Sequence, residues 1–407
     1  MAAVPVLSVV VPTHNRARYA LSTIQALLDT SDEIEVVVSD TSAQDLLSAA
    51  IAGMRGAGRV RLVRPPSGVS VVDNFNAGLQ AASGDYLCFI GDDDLITGDA
   101  LRLACWARRQ GVDALCLAFP ANYYWPDFHH QLRGDFYAGT VRVGRFSGRI
   151  RPHDPMRALS ASARQLGVGV LDMPRAYAGM IARDLARRIV DKHGALFGGV
   201  SPDIYSAALI AQECRSCVHV DYPIVVPGHS GVSTAGQSAR GGHLGRLRDN
   251  PHIGAFENLV WDSRIPEFYS VPTVWSFSLL EALKKTGTER LAHFGRLYVR
   301  CLLLHRAYRS DTLQSIRHQA RRVGWPRLAA SLAAGALAES AWVVAKLWSM
   351  LRVTLSGRAD NSMRDVENTA AAHEYLERFL AASPVTARFR ATLSDPTWRP
   401  DAALRPY

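Results

Sequence analysis

The chain has 407 residues, 48% of them hydrophobic, and a formal net charge of +9. This length and apolar content exclude a mainly disordered chain and leave room for a large core and two domains. The charge excess suits phosphate-rich ligands, an anionic membrane surface or nucleic acid, and by itself selects none of them. The six cysteines lie mostly inside apolar segments, without the density of a disulfide scaffold, which points to a reducing cytoplasm. Cys214 and Cys217 have redox-pair spacing but no second pair to complete a tetrahedral metal site, so they read as structural. Leu7 to Val11 is too short for a signal peptide's apolar region and runs straight into Pro12, so no signal peptide is expected. No uncharged run of about 18 apolar residues occurs, and the nearest approach, Leu328 to Trp348, is interrupted by Glu339 and Lys346.

In chain order, Val6 to Val11 is a continuous β-branched run, as expected of a strand covered on both faces. A helical pattern follows through Tyr19, Leu21, Ile24, Leu27 and Leu28, then a strand at Ile34 to Val38 that stops at Asp40. A helix around Asp45 to Met54, a strand at Arg59 to Val63 and a helix around Val71 to Ala82 come next. They lead to a buried strand at Asp85 to Ile90, which ends in Gly91-Asp92-Asp93-Asp94. Alternation of this kind implies a mainly parallel sheet with right-handed crossovers, an α/β architecture in which every strand's carboxyl end falls on one rim. That rim gathers Thr13 and Asn15, Asp40, and Asp92 to Asp94.

Adjacent carboxylates repel one another unless a cation neutralises them, and Mg²⁺ or Mn²⁺ is suited to bridging one or two carboxylates to a substrate's phosphates. An acidic turn capping the next helix, with Asp94 or Asp99 near its N-terminus, would use the same residues. Asn15 has the residue type of a helix cap, whereas Arg16 in a first helical turn opposes the dipole and calls for an anionic partner. Neither a Gly-x-Gly-x-x-Gly after the first strand nor a Walker-type Gly-Lys-Ser/Thr occurs.

Three segments stand in order: Val9-Val10-Val11-Pro12-Thr13-His14-Asn15-Arg16, Ser39-Asp40-Thr41-Ser42-Ala43-Gln44-Asp45, and Asp92-Asp93-Asp94. Together they resemble the signposts of family 2 glycosyltransferases of the GT-A fold, over approximately the first 235 residues. The resemblance implies a GT-A Rossmann-like, mainly parallel sheet flanked by helices. It places the nucleobase or ribose on Asp40, and the metal-diphosphate site on Asp92, Asp93 and Asp94, with Asp94 the direct ligand of Mn²⁺ or Mg²⁺. Pro12, Thr13, Asn15 and Arg16 would line the nucleotide pocket. Asp73 and Asn76 either reach the nucleotide or cap a helix. Asp203, at the start of a helix after the Gly-rich turn Leu196 to Ser201, would be the catalytic base or a helix cap; Ser201-Pro202 stands where the family usually has Gly-Glu. His229, in the Gly/Ser-rich segment Pro227 to Gly236, is a candidate third metal ligand in a loop that reads as a lid.

Asn122 to His130 is aromatic-rich and reads as irregular, either an acceptor platform or packing under a loop. Beyond Leu247 the pattern turns helical, with recurrent arginines beside the apolar Leu328 to Leu355 segment. An interfacial membrane helix and an ordinary helical bundle both look like this. The expected organisation is a GT-A domain over 1–246, with a nucleotide-sugar half to about 120 and an acceptor half from 121, and a helical region over 247–407. The activity implied is metal-dependent, inverting transfer from a nucleotide diphosphate sugar, UDP being the family's commonest, to a glycan or lipid-linked acceptor in bacterial-type surface polysaccharide synthesis. The expected setting is the cytoplasm, peripheral to the inner membrane face through an anionic surface, with homo-oligomerisation through the C-terminal helices open and no nucleic acid partner. A sugar nucleotidyltransferase and a catalytically silent scaffold of the same fold are the competing readings.

Overall fold

The structure, a computed structural model, describes residues 4–66, 68–239, 242, 244–256, 258–356 and 361–397. Its centre is an eight-stranded sheet. The β-branched run after Val6 forms β1 (Leu7–Thr13), which pairs in parallel with β2 (Ile34–Asp40), and β2 pairs in parallel with β3 (Val60–Val63). On its other side β1 pairs in parallel with β4 (Tyr86–Phe89). Side chains of β1, β2 and β4 are buried at nearly every position, because helices cover both faces.

Parallel order then breaks. The strand Met180–Ala182 enters antiparallel between β4 and Ala114–Leu117. Cys217–Val220 adds in parallel to Ala114–Leu117, and Ile150–Pro152 closes the edge in the antiparallel sense. The sheet is therefore mainly parallel, with one strand from a distant segment inserted beside the residues that carry the acidic triplet. The Ala121–Tyr124 stretch, which sequence places in an irregular region, is a strand. It pairs with Gly228–His229 and with Thr140–Val143 in a smaller sheet. Tyr123 and Trp125 are fully buried there, so these two aromatics pack rather than display a platform.

The C-terminal residues do not form one helical block. The long helix Val271–Lys285 packs on Pro202–Glu213, and Gly295–Leu304, Arg309–Val323 and Trp325–Ser356 build outward from it. The chain then returns. The strand Asn361–Met363 pairs with Thr140–Val143, helix Thr369–Ala381 packs on α1 (Ala17–Thr30), and helix Pro384–Ser394 packs on Asp99–Gln110. Phe389 stacks on Tyr222 at 4.0 Å, and Arg390 holds buried Asp99 with contacts of 2.8 and 3.1 Å.

Phe389 is fully buried, so Phe389→Ala should cost about 3–5 kcal/mol. Urea unfolding followed at Trp106, in the helix Asp99–Gln110, should show the lower midpoint; an unchanged midpoint would mean that the C-terminal helices form a separate unit.

Candidate active site

Strand β4 is followed by a tight turn in which Asp92, Asp93 and Asp94 are only 2%, 4% and 4% exposed. The turn's backbone is pinned from two sides: Trp125 Nε1 donates to the Asp93 carbonyl at 3.0 Å and Thr23 Oγ1 to the Asp94 carbonyl at 3.0 Å. Each carboxylate has a different set of partners. Asp92 accepts from Thr13 Oγ1 at 2.6 Å and lies 2.9 Å from Arg16 Nη1, in an ion pair that lacks a hydrogen bond's angle. Asp93 accepts from the Ser230 amide at 3.1 Å and its hydroxyl at 2.6 Å, and pairs with Arg16 Nη2 at 2.9 Å. Asp94 accepts backbone N–H bonds from Gly91 and Gly228, both at 2.7 Å. Gly228 is required here: a Cβ on it would lie 1.7 Å from the Asp93 carbonyl oxygen.

Arg16 is thus the anionic-partner residue that its helix position called for, and the partners are the triplet itself. It also donates to Ser230 Oγ at 2.7 Å, which ties the Pro227 to Gly236 loop to the acidic turn. That loop reads from sequence as a mobile lid, but at Gly228 to Ser230 it is buried or half-buried and hydrogen-bonded to two of the three aspartates. Farther along, Gly241 and His243 lie outside the described residues.

Burial is the main electrostatic fact. It pushes the Asp92 carboxyl up to about 7, with Arg16 working against it and Asp93 with it. Burial, then Asp93, pushes Asp94 up to about 7 against its two backbone N–H bonds. Arg16 loses by burial, but Asp93 and Asp92 more than compensate and hold its charge. With all three carboxyls ionised, one guanidinium would leave two negative charges in a buried turn. A hard divalent cation bridged to phosphates fits that deficit and that oxygen donor set. The fit is to a bridging ion and not to a preformed cage, since no group of three or more His, Cys, Asp and Glu among the described residues is placed to hold a metal alone.

The other sequence candidates divide into those at the rim and those used elsewhere. Asp40 is 1% exposed; its Oδ1 accepts from the Ser42 amide at 2.8 Å, as in an Asx turn, while Oδ2 is buried without a hydrogen bond, 3.5 Å from Arg64 Nη1. Pro12 is half-buried at the end of β1. Asn15 does not cap α1: Arg16 is the cap residue, and Asn15 sits at φ 55° with its amide donating to Ser42 Oγ at 2.6 Å. Asp73 forms a capping box with Ser70, the Ser-x-x-Asp signature at a helix start. Asn76 binds both backbone groups of Phe197, at 3.0 and 3.3 Å. Both are therefore engaged in holding structure.

Asn76 matters indirectly, because Phe197 begins the turn that leads to Asp203. The ring of Phe197 packs edge-on against Phe89, 4.8 Å away at the end of β4. Gly199 takes φ 64°, and Ser278 Oγ accepts from the Val200 and Ser201 amides at 3.0 and 2.9 Å. His252 Nε2 lies 2.7 Å from the Val200 carbonyl. Asp203, half-buried in the first turn of its helix, accepts from Ser201 Oγ and from the Ile204 amide. Its charge is felt at the Tyr177 hydroxyl together with those of Asp92, Asp93 and Asp94. Tyr177 itself reaches within 3.5 Å of Asp94 Oδ2. His229 stacks on Tyr124 at 4.7 Å, lies 3.1 Å from Asn122 Oδ1, and is held neutral by burial despite Asp93.

Tyr177 and Ser230 are the site residues that sequence reasoning missed. Ser230 was within reach, since it follows Gly228-His229 in a segment already marked by its Gly and Ser content. Tyr177 carried no local signal, because it precedes a three-residue antiparallel strand too short to show a period.

The buried acidic turn stands at the carboxyl end of a central strand of an α/β sheet, the rim at which such sheets bind ligands. Residues 8–155 match the family model described as "Glycosyl transferase family 2". This segment is a family 2 glycosyltransferase domain, with the GT-A arrangement of a mainly parallel sheet between helices, and the chain that carries it is a glycosyltransferase. No curated protein matches the sequence. Among solved structures the chain is similar to S. aureus TarS 1-349 in complex with UDP-GlcNAc, at 15% identity and TM-score 0.48, covering 80% of this chain and 83% of that one. It is also similar to S. aureus TarS 1-349 at 16% identity and TM-score 0.43, covering 78% and 92%. Similarity at this level says nothing about substrate.

The raised carboxyls set a pH dependence. Between about pH 4 and 7 the folded protein holds protons on Asp92 and Asp94 that the unfolded chain has released, so this pair's contribution to stability falls as pH rises through that window. In chelator, Asp92→Asn should match the wild type near pH 4 and exceed it near pH 7 by on the order of 2–4 kcal/mol. Paired denaturant titrations at the two pH values check this; a constant difference would contradict it.

Proposed function

We propose that the protein is a metal-dependent, inverting glycosyltransferase that moves a sugar from a nucleotide diphosphate sugar, with UDP the first nucleotide to test, to a hydroxyl of a glycan or lipid-linked acceptor. The observation that supports this is the buried acidic turn at Asp92, Asp93 and Asp94, near enough to Asp203 that all four charges act on the Tyr177 hydroxyl. The nucleoside would lie along the β1 and β2 ends, over Pro12 and Thr13, with Asp40 Oδ2 free to accept a ribose or base donor. Asp94 and Asp92 would hold Mn²⁺ or Mg²⁺; when bound, such an ion stabilises negative charge on a departing diphosphate. His229, kept neutral by burial and held beside Asn122 and Tyr124, is the proposed third metal ligand.

Arg16 holds the acidic turn and the Ser230 loop together, and its guanidinium would meet the diphosphate oxygens. Asp203 is the proposed base. Anchored by Ser201 Oγ, it would accept the proton of the acceptor hydroxyl as that oxygen attacks the anomeric carbon from the face opposite the leaving group, which inverts the configuration. The proposed setting is the cytoplasmic side of a bacterial-type membrane, in surface polysaccharide synthesis. A nucleotidyltransferase would want a Gly-rich basic phosphate loop after β1, and Pro12-Thr13-His14-Asn15 is not one.

Asp203→Asn should lower transfer by roughly 10²–10⁴-fold while leaving donor affinity nearly intact. Asp94→Asn should abolish Mn²⁺-dependent hydrolysis of the donor. Calorimetric donor titration beside turnover separates these outcomes: equal loss of binding and turnover in Asp203→Asn would make it a structural cap, and unaltered hydrolysis in Asp94→Asn would remove the metal assignment.

A further inference from the structure

The helix Trp325–Ser356 has 32 residues, and its stretch Trp325–Trp348 is long and apolar enough by composition to cross a membrane, yet only Leu328, Gly335 and Glu339 of it are buried. Glu339, which from sequence interrupts the apolar run, is a buried charge already neutralised: Arg296 Nε lies 2.6 Å and Arg300 Nη2 3.0 Å from its Oε1. The first half of the helix is fixed by this pair and by a close crossing, where a Cβ on Gly295 would fall 2.0 Å from the Ser331 carbonyl and one on Gly335 2.6 Å from the Arg296 amide.

The second half leaves the protein. Ala341 to Trp348 are eight consecutive exposed residues, more than two turns, so every side of the helix meets solvent, although Arg300 lies over the Trp342 ring at 5.3 Å. Trp342, Val344, Leu347 and Trp348 are 42–65% exposed, and Leu303 and Leu304, one turn beyond Arg300 on the neighbouring helix, are 57% and 64% exposed. Around this pole, Arg306, Arg309, Arg317, Arg321, Arg322 and Arg327 are exposed and make no ion pair among the described residues. Residues 296–346 contain nine Lys or Arg against two Asp or Glu, which gives seven of the chain's nine net positive charges.

We infer that this pole docks on an anionic lipid bilayer, with the distal half of the Trp325–Ser356 helix inserted among the acyl chains and the arginines of Arg309–Val323 on the headgroups. Two observations favour lipid over a second copy of the chain. A protein partner covers one face of a helix, whereas Ala341 to Trp348, apolar apart from Lys346, are exposed on every side of the helix, which is what a hydrocarbon phase can surround. A symmetric self-interface would also set one strongly positive surface against its own copy. Residues 341–356 span about 24 Å at the helical rise, short of the roughly 30 Å hydrocarbon core, so the segment enters the membrane without crossing it. The inference rests on the peripheral setting proposed above, and on none of the donor chemistry.

The test uses the full chain with vesicles of phosphatidylcholine, alone or mixed with phosphatidylglycerol. Co-sedimentation should be strong on the mixed vesicles and weakened by salt, and brominated acyl chains should quench tryptophan fluorescence. Val344→Glu combined with Leu347→Glu, both at exposed positions, should weaken partition at least roughly tenfold with thermal unfolding and donor binding unchanged. Replacing Arg317, Arg321 and Arg322 by Gln should remove most of the salt dependence. No binding to either vesicle, or a concentration-dependent dimer that the Val344/Leu347 pair abolishes in the absence of lipid, would overturn it. Donor binding is read in the same samples, so loss of the membrane result leaves the transferase reading standing, and the reverse.

Discussion

Three carboxylates on consecutive residues, almost without water, are the constraint around which the N-terminal domain is arranged. Charges so placed repel, and burial alone disfavours their ionisation. The fold answers with one guanidinium: Arg16 reaches back from the start of α1 to Asp92 and Asp93 and takes Ser230 with it. Asp94, farthest from Arg16, is held instead by two backbone amides, one from its own turn and one from Gly228 across the cleft. The turn is thus built by neighbours from four separate segments. The answer is incomplete by two charges, and an incomplete counter-charge is what a site for a cation and an anionic leaving group requires before either arrives.

The same logic explains why the chain past residue 247 cannot be treated as an appendage. Asp203 sits where it does because Ser278, from the long C-terminal helix, accepts the Val200 and Ser201 amides, and because Asn76 on the other side clamps Phe197. Asp99, a third buried acid close behind the triplet, is neutralised by Arg390 from nearly three hundred residues away and shares its carboxylate with Tyr222. Without that arginine, only the exposed Arg102, 3.5 Å away, would offset a buried charge at the helix that follows the acidic turn.

What could be read from sequence follows a physical line. Strands β1, β2 and β4 and the polar residues at their ends were legible, because a β-branched run broken by Pro12, Asp40 or Gly91 is a local signal and successive βα units force the ends onto one rim. The capping role of Asp73 was legible in principle from Ser70 three residues earlier, yet the same spacing is compatible with a ligand. Tyr177 was not legible, since the strand it precedes is inserted antiparallel by tertiary pairing and not by any periodicity of its own. The break in the C-terminal region was hidden for the same reason: helix Pro384–Ser394 is weakly patterned, and what fixes it is a single stacked pair, Phe389 on Tyr222, together with Arg390. In the apolar helix Glu339 interrupts the sequence run, but in the fold it finds two arginines that neutralise it.

Net charge shows how far an average can mislead. A value of +9 invites the idea of a basic cleft for a diphosphate, but the cleft at the sheet's rim is negative, with one arginine against three aspartates. Nearly all of the excess positive charge lies in the 296–346 segment instead, beside side chains that no part of the protein covers. Attraction to an anionic donor therefore cannot come from the bulk charge of the molecule. On the proposed reading it comes from the turn itself, through a cation and Arg16, while the basic pole meets a different anionic partner at a different surface. A chain that separates its charges in this way can hold its position on one negatively charged surface while it releases a negatively charged product from another.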